Sequence, residues 1–172
     1  MIAREVAADN SDWVAVSAVP ARRYALGSLN QFQPKAMKNN LRKQVSRSEL
    51  ADTTILGGID FNFQVQRRGC SYWSPHWYLL IKANAELVRD ALGKHYPAGS
   101  LTPRPLQIRA LEKGQVLSAA TYSLKPTFYQ KSSEASFGVR RLVEIDSVHW
   151  LELAPLLDSW GVIQRLFQRY VW

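Results

Sequence analysis

The chain has one cysteine, Cys70, among 172 residues. An internal disulfide is therefore excluded, and so are zinc sites built on several thiolates. No apolar run approaches the roughly 18 residues that a membrane-spanning helix needs. The opening stretch, MIAREVAADNSDW, carries arginine and acids where a secretory signal would have an apolar core. Together these absences point to an intracellular, cytoplasmic protein with no membrane span. There is no phosphate-cradling G-x-x-x-x-G-K-[ST], no G-x-G-x-x-G turn, no H-E-x-x-H and no G-x-S-x-G elbow. Nucleoside-triphosphate loops, dinucleotide folds, zinc-protease helices and hydrolase elbows thus have no support. The most telling lack is of negative charge. From Trp13 to Ser48 there is no Asp or Glu, while Arg22, Arg23, Lys35, Lys38, Arg42, Lys43 and Arg47 all fall in that stretch.

What is present builds on that imbalance. The formal net charge is +8, which favours a polyanionic partner, nucleic acid before an anionic membrane surface. Hydrophobic residues make up 47% of the chain, enough for a normal core. A chain of this length buries about 70% of its unfolded surface, so it needs no structural metal. One domain is expected over 1–172, with a basic strand and helix region at 1–50, a core at 53–131 and C-terminal helices at 140–172.

Trp13 to Val19 reads as a first strand. In residues 34–50, Met37, Leu41 and Val45 recur at helical spacing after Pro34, a favoured helix start. This predicts a basic amphipathic helix with Lys38, Arg42 and Lys43 outward. Ile59, Phe61, Phe63 and Val65 then alternate with Asp60, Asn62, Gln64 and Gln66, the period of a strand with one apolar face. Arg67–Arg68–Gly69 reads as a hairpin turn. The return strand, about Tyr72 to Ala83, sets Trp77, Leu79 and Ile81 on one face and Ser74, His76, Tyr78 and Leu80 on the other. If the apolar faces coincide, Asp60, Asn62, His76 and Tyr78 share the opposite, polar face. Residues 84–96 read as a helix capped by Asn84. Residues 104–111 read as a strand with Gln107 and Arg109 on one side. Residues 114–131 look helical at least to Leu124, since Val116, Ala120 and Leu124 are four apart, and Pro126 should end or kink that helix. The tail reads as two helices broken near Gly161. Trp73 and Trp77 are either core or stacking surfaces, with the core favoured for Trp77.

A hairpin whose second strand carries Pro75-His76-Trp77-Tyr78, then a helix, a strand and a helix bearing Tyr-x-x-Lys resembles the HUH endonucleases. The likeness is to rolling-circle replication initiators (Rep) of plasmids and mobile elements, and to relaxases, over about Thr53 to Lys131. The resemblance implies an α+β fold, a central and mostly antiparallel sheet with helices packed on one face, ferredoxin-like or RRM-like. It implies DNA as partner rather than RNA, and a divalent ion, Mg or Mn, held by His76 with Asp60. It further implies a nucleophilic Tyr122 assisted by Lys125, leaving a 5′-phosphotyrosine, with Tyr129 in reserve. The motif departs from the family at Tyr78, where a second histidine would stand, so the ion site is degenerate. Lys35, Lys38, Arg42, Lys43, Arg67, Arg68 and Arg109 are the expected DNA contacts. Each residue also has a plainer role. His76 can be a hydrogen-bonded sheet residue, Asp60 can pair with Arg67, Arg109 or Lys125, and Tyr122 can be packing. A non-catalytic nucleic-acid module on the same scaffold, or a basic protein-interaction domain, fits the same pattern.

Overall fold

The computed structural model describes residues 12–66, 70–112, 114–122, 128–132 and 142–170. Among them an open, mostly antiparallel sheet is combined with four helices, the α+β class expected from the sequence. The strands are β1 (Val14–Ala18), β2 (Tyr24–Ala25), β3 (Ile55–Val65), β4 (Tyr72–Ile81), β5 (Leu106–Ala110), β6 (Tyr129–Ser132), β7 (Leu142–Glu144) and β8 (Leu166–Arg169). The helices are α1 (Pro34–Ser46), α2 (Ala85–Gly93), α3 (Gln115–Tyr122) and α4 (Ser147–Arg165).

The sheet runs in the order β5-β1-β4-β3-β6-β7, with β2 paired to β4 and β8 paired to β3. Its heart is β1-α1-β3-β4-α2-β5, the βαββαβ wiring of a ferredoxin-like split βαβ unit. The β3–β4 hairpin carries the longest register, from Ile55 opposite Ile81 to Gln64 opposite Tyr72. Period-two side chains on these strands divide the sheet cleanly. Val14, Val16, Ile59, Phe61, Phe63, Trp73, Trp77, Leu79 and Ile81 join one buried cluster with Leu41 and Val45 of α1, Val88 and Leu92 of α2, and Leu153 of α4. Both Trp73 and Trp77 are core, so neither is a surface on which a base can stack. Gly57 faces Leu79 across the hairpin, and a Cβ there would sit 2.2 Å from the Tyr78 carbonyl oxygen. Only glycine lets the two backbones approach this closely.

Three points of the fold differ from the expectations or add to them. First, α3 lies on the other face of the sheet from α1, α2 and α4. Its Val116 and Ala119 pack with Trp13, Ala15 and Leu80 in a second cluster, so the helices are not confined to one face. Second, beyond the stop expected at Pro126, Tyr129 is in a strand. It opens β6, which runs parallel to β3 with Tyr129 opposite Asn62. Third, the tail is two helical segments broken at Gly161, whose φ is 62°, as expected, but it closes on a strand, β8, antiparallel to the start of β3. β8 covers Ile55 to Gly58 and β6 covers Asn62 to Val65. Between them the β3 edge is met by Arg165, whose Nε donates to the Ile59 carbonyl at 3.4 Å. An edge carbonyl that no strand reaches is thus still given a donor.

Candidate functional site

The polar face foreseen on the hairpin is real, and its register is specific. Asp60 lies directly opposite His76, Asn62 opposite Ser74, and Gly58 opposite Tyr78. Asp60, Asn62, Ser74 and His76 are all buried, each 5–7% exposed. His76 Nε2 stands 3.3 Å from Asp60 Oδ2. The other carboxylate oxygen, Oδ1, accepts the Phe61 N–H at 2.8 Å. His76 Nδ1 lies 3.4 Å from the Asn62 amide nitrogen and 3.5 Å from the Ser74 carbonyl. With Nε2–H donating to Asp60, Nδ1 is left as an acceptor for Asn62. Asp60 also feels the Arg165 guanidinium, whose pKa is lowered by burial and raised in turn by the Asp60 carboxylate. That guanidinium sits 5.1 Å from the centre of the Phe128 ring. Asp60 thus pairs with His76, while Arg67 and Lys125, expected as alternative partners, lie outside the described residues.

These two residues fit a divalent ion as a partial ligand set. Adjacent ligands of an octahedral ion bound at roughly 2.1 Å are about 3 Å apart, and such ions commonly keep waters or phosphate oxygens in their remaining positions. The 3.3 Å separation of Nε2 and Oδ2 suits two neighbouring ligands. Among the described residues no group of three His, Cys, Asp or Glu side chains gathers to complete a protein cage. Tyr78, where a second imidazole would point, is a weak donor for a hard cation.

Tyr122 ends α3 on this same face. Its ring lies 4.8 Å from that of Tyr78, tilted by 56°, and it is 45% exposed. The crossing of α3 to the second face, driven by Val116 and Ala119 on Leu80 and Ala15, brings the two tyrosines together. Next to them a groove of about 620 Å³ is lined by Ala15, Ser17, Ile108, Ala119, the two tyrosines, Gln107 and Arg109, with Ser118 beside Tyr122. The register explains this lining. Arg109 is opposite Ala15, and Gln107 is opposite Ser17, which is in turn opposite Tyr78. Small side chains on β1 form the floor, and exposed Arg109 and Gln107 form the far wall.

The other expected contacts divide. Lys35, Arg42 and Lys43 are exposed on α1, but Lys38 donates to the Ile163 carbonyl at 3.0 Å. Burial and the neighbouring Arg42 lower the Lys38 pKa. Arg42 bonds Asn39 Oδ1 at 3.0 Å and lies 5.9 Å from the Phe167 ring centre. That flank of α1 is turned toward the C-terminal segment. Lys125, Arg67 and Arg68 lie outside the described residues. The other histidines stand apart: His95 is exposed, and His149 is packed on Phe63 with ring centres 3.8 Å apart. Sequence reasoning missed the Tyr78–Tyr122 contact and the floor supplied by β1. No signal within α3 or β4 alone could have revealed either. Among the described residues no helix is long and apolar enough to cross a membrane. No family model, curated protein or solved structure matches this chain.

Proposed function

We propose that the protein is a cytoplasmic DNA-binding protein of the rolling-circle Rep and relaxase type, joining and breaking single-stranded or hairpin DNA through Tyr122. The observation that carries this reading is the position of Tyr122. It stands against Tyr78, on the face that holds Asp60 and His76, at the head of a groove walled by Arg109. In the reaction the Tyr122 Oη gives up its proton and bonds to phosphorus. The bond from phosphorus to the 3′ oxygen breaks, and that oxygen takes a proton. One phosphodiester is exchanged for another, so no external energy source is needed. A divalent ion held by Asp60 and His76 would polarise the phosphate and make the phenol easier to deprotonate. With an ion on Nε2 the ring proton would be on Nδ1, beside the Ser74 carbonyl that can accept it, while the groove floor would admit the strand and Arg109 would hold the phosphate chain by charge.

The test is covalent capture. Labelled single-stranded and hairpin DNA is mixed with protein and Mn²⁺, then denatured. An adduct that disappears with EDTA and in Tyr122→Phe supports the reading, while an adduct that survives in Tyr122→Phe refutes the assignment of the nucleophile. RNA of the same sequence should give none. A second reading, a non-catalytic DNA-binding module, is favoured by one observation: the buried Asp60 and His76 are already paired with each other. DNA retained in a native gel without any adduct selects it.

A further inference from the structure

On the opposite side of the sheet from Tyr122, a second cavity of about 190 Å³ opens beside α1. Its rim is the Pro20–Ala21–Arg22 loop, Gln33, Ala36 and Asn40 of the α1 side, and exposed His95. Its depth is Met37, Gln44 and the aromatic core residues Tyr24, Phe32, Trp77 and Tyr96. This volume is below the ~300–1,000 Å³ of sites that take drug-sized ligands. It suits a single ring system. The polar groups are mostly amides. Tyr96 donates its hydroxyl to Gln44 Oε1 at 3.3 Å, and burial pushes the Tyr96 pKa up, so the phenol keeps its proton. That bond orients the Gln44 amide and leaves its NH₂ to donate elsewhere. An amide's adjacent donor and acceptor complement the adjacent donor and acceptor on an adenine or a cytosine edge, and of the two the larger fused ring of adenine covers more of the aromatic lining.

The charge around the mouth has one sign. Arg22, held 5.1 Å from the centre of the Tyr24 ring, stands at the rim. Ala36, Asn40 and Lys43 follow one row of α1 at three- and four-residue spacing, so the exposed Lys43 continues the rim along the helix, and exposed Arg47 caps the helix end. The cavity is also near the groove along the chain. Ser17 lines the groove and Pro20 lines the cavity, three residues apart, or about 10 Å of extended chain. Arg104, just before β5, is exposed at the same end of the sheet.

We propose that this cavity receives one nucleobase, adenine by preference. The strand lying in the Tyr122 groove turns round the end of β1, past Arg104 and Arg22, and drops that base between Gln44, Asn40 and Met37. This inference rests on the DNA-binding reading for its source of the base. A free adenine nucleotide offers the same chemistry.

The experiment uses the full chain. AMP and CMP are titrated while backbone amide signals are followed by NMR, and binding of labelled single-stranded DNA is measured by fluorescence anisotropy. Ala36→Phe, which adds bulk at an exposed rim position, is compared with wild type, with Arg22→Glu as a second variant and a melting curve on each. The expected result is that AMP moves the signals of Ala21, Asn40 and Gln44 more than CMP does. Ala36→Phe should remove those shifts and weaken the strand about tenfold, the effect of losing roughly one good hydrogen-bonded contact. Strand binding unchanged in both variants overturns the inference and leaves the Tyr122 reading standing. AMP shifts confined to Tyr122 and Arg109 also overturn it. AMP shifts at the cavity that Ala36→Phe removes, in a protein that binds no strand, support the cavity as a free-nucleotide site and refute the DNA reading instead.

Discussion

His76 and Tyr78 point to the same face two residues apart, and under the proposed function the second of them would decide how well an ion is held. A phenol at 78 withholds the imidazole nitrogen that would sit beside His76 Nε2. Tyr78→His restores two imidazoles on one strand face next to Asp60. It should tighten Mn²⁺ binding by at least about tenfold, in line with the cost of losing one supporting residue at a metal site. Paramagnetic broadening of the imidazole signals would measure this, and equal broadening in wild type and variant would sink the degenerate-site account. A different carboxylate, Glu152, serves structure. Its Oε1 accepts the Leu29 N–H at 2.8 Å, and its Oε2 accepts the Trp73 indole N–H at 2.7 Å. Trp73 is fully buried, so Glu152→Ala orphans donors that cost about 1–3 kcal/mol each. Glu152→Gln keeps one acceptor and should lose less, which urea unfolding of the pair would show.

Elements are tied down by what lies at their ends. α4 begins at Asp146, whose side chain accepts the His149 N–H at 3.0 Å and lies 2.6 Å from His149 Nδ1. The backbone bond from His149 is the first cause holding the Asp146 pKa below the ordinary carboxylate value, with the charge of His149 adding to it. Because the folded value is the lower one, the ionised cap stabilises the fold fully above the unfolded carboxyl pKa, and this is lost as pH falls through the folded value. Asp146→Asn keeps a good cap and removes the charge. The stability difference between wild type and this variant should therefore be greatest near neutrality and vanish at low pH, as read from melting temperatures across the acid range. A difference that persists unchanged at the acid end would mean the carboxylate charge is not its source.

At the scale of the molecule, the two sheet faces have separate tasks. One is closed by α1, α2 and α4 over the large aromatic core, and on the other, among the described residues, α3 packs beside the groove at Tyr122. In the proposed path of the strand, Arg109, Arg104, Arg22 and Lys43 would be its phosphate contacts between the groove and the α1 cavity. Four phosphate contacts on a single strand predict a log–log salt slope of about −3, and Arg109→Gln should reduce its magnitude by about 0.7. Anisotropy titrations across salt concentrations measure both. A slope indifferent to Arg109 would move the strand off the groove.

The hairpin and its two faces were legible because a strand has a period of two. Ile59, Phe61 and Phe63 against Asp60, Asn62 and Gln64 state which side of β3 is buried, wherever β3 goes. The capped helix after Asn84 and the basic helix after Pro34 were legible for the same local reason. The short strands β2, β6, β7 and β8 were not, since two to four residues carry no readable period. Pro126 marked where the helical repeat of Val116, Ala120 and Leu124 should stop, but only pairing with Asn62 shows that Tyr129 continues as strand. The sequence by itself thus determined which side of each long element meets the core, because that preference is carried by neighbouring residues. Only the tertiary structure decided that Asp60 faces His76, that α3 crosses to the second face and that Tyr122 meets Tyr78. Register and crossover are set by packing between residues far apart in the chain, and no local pattern records them.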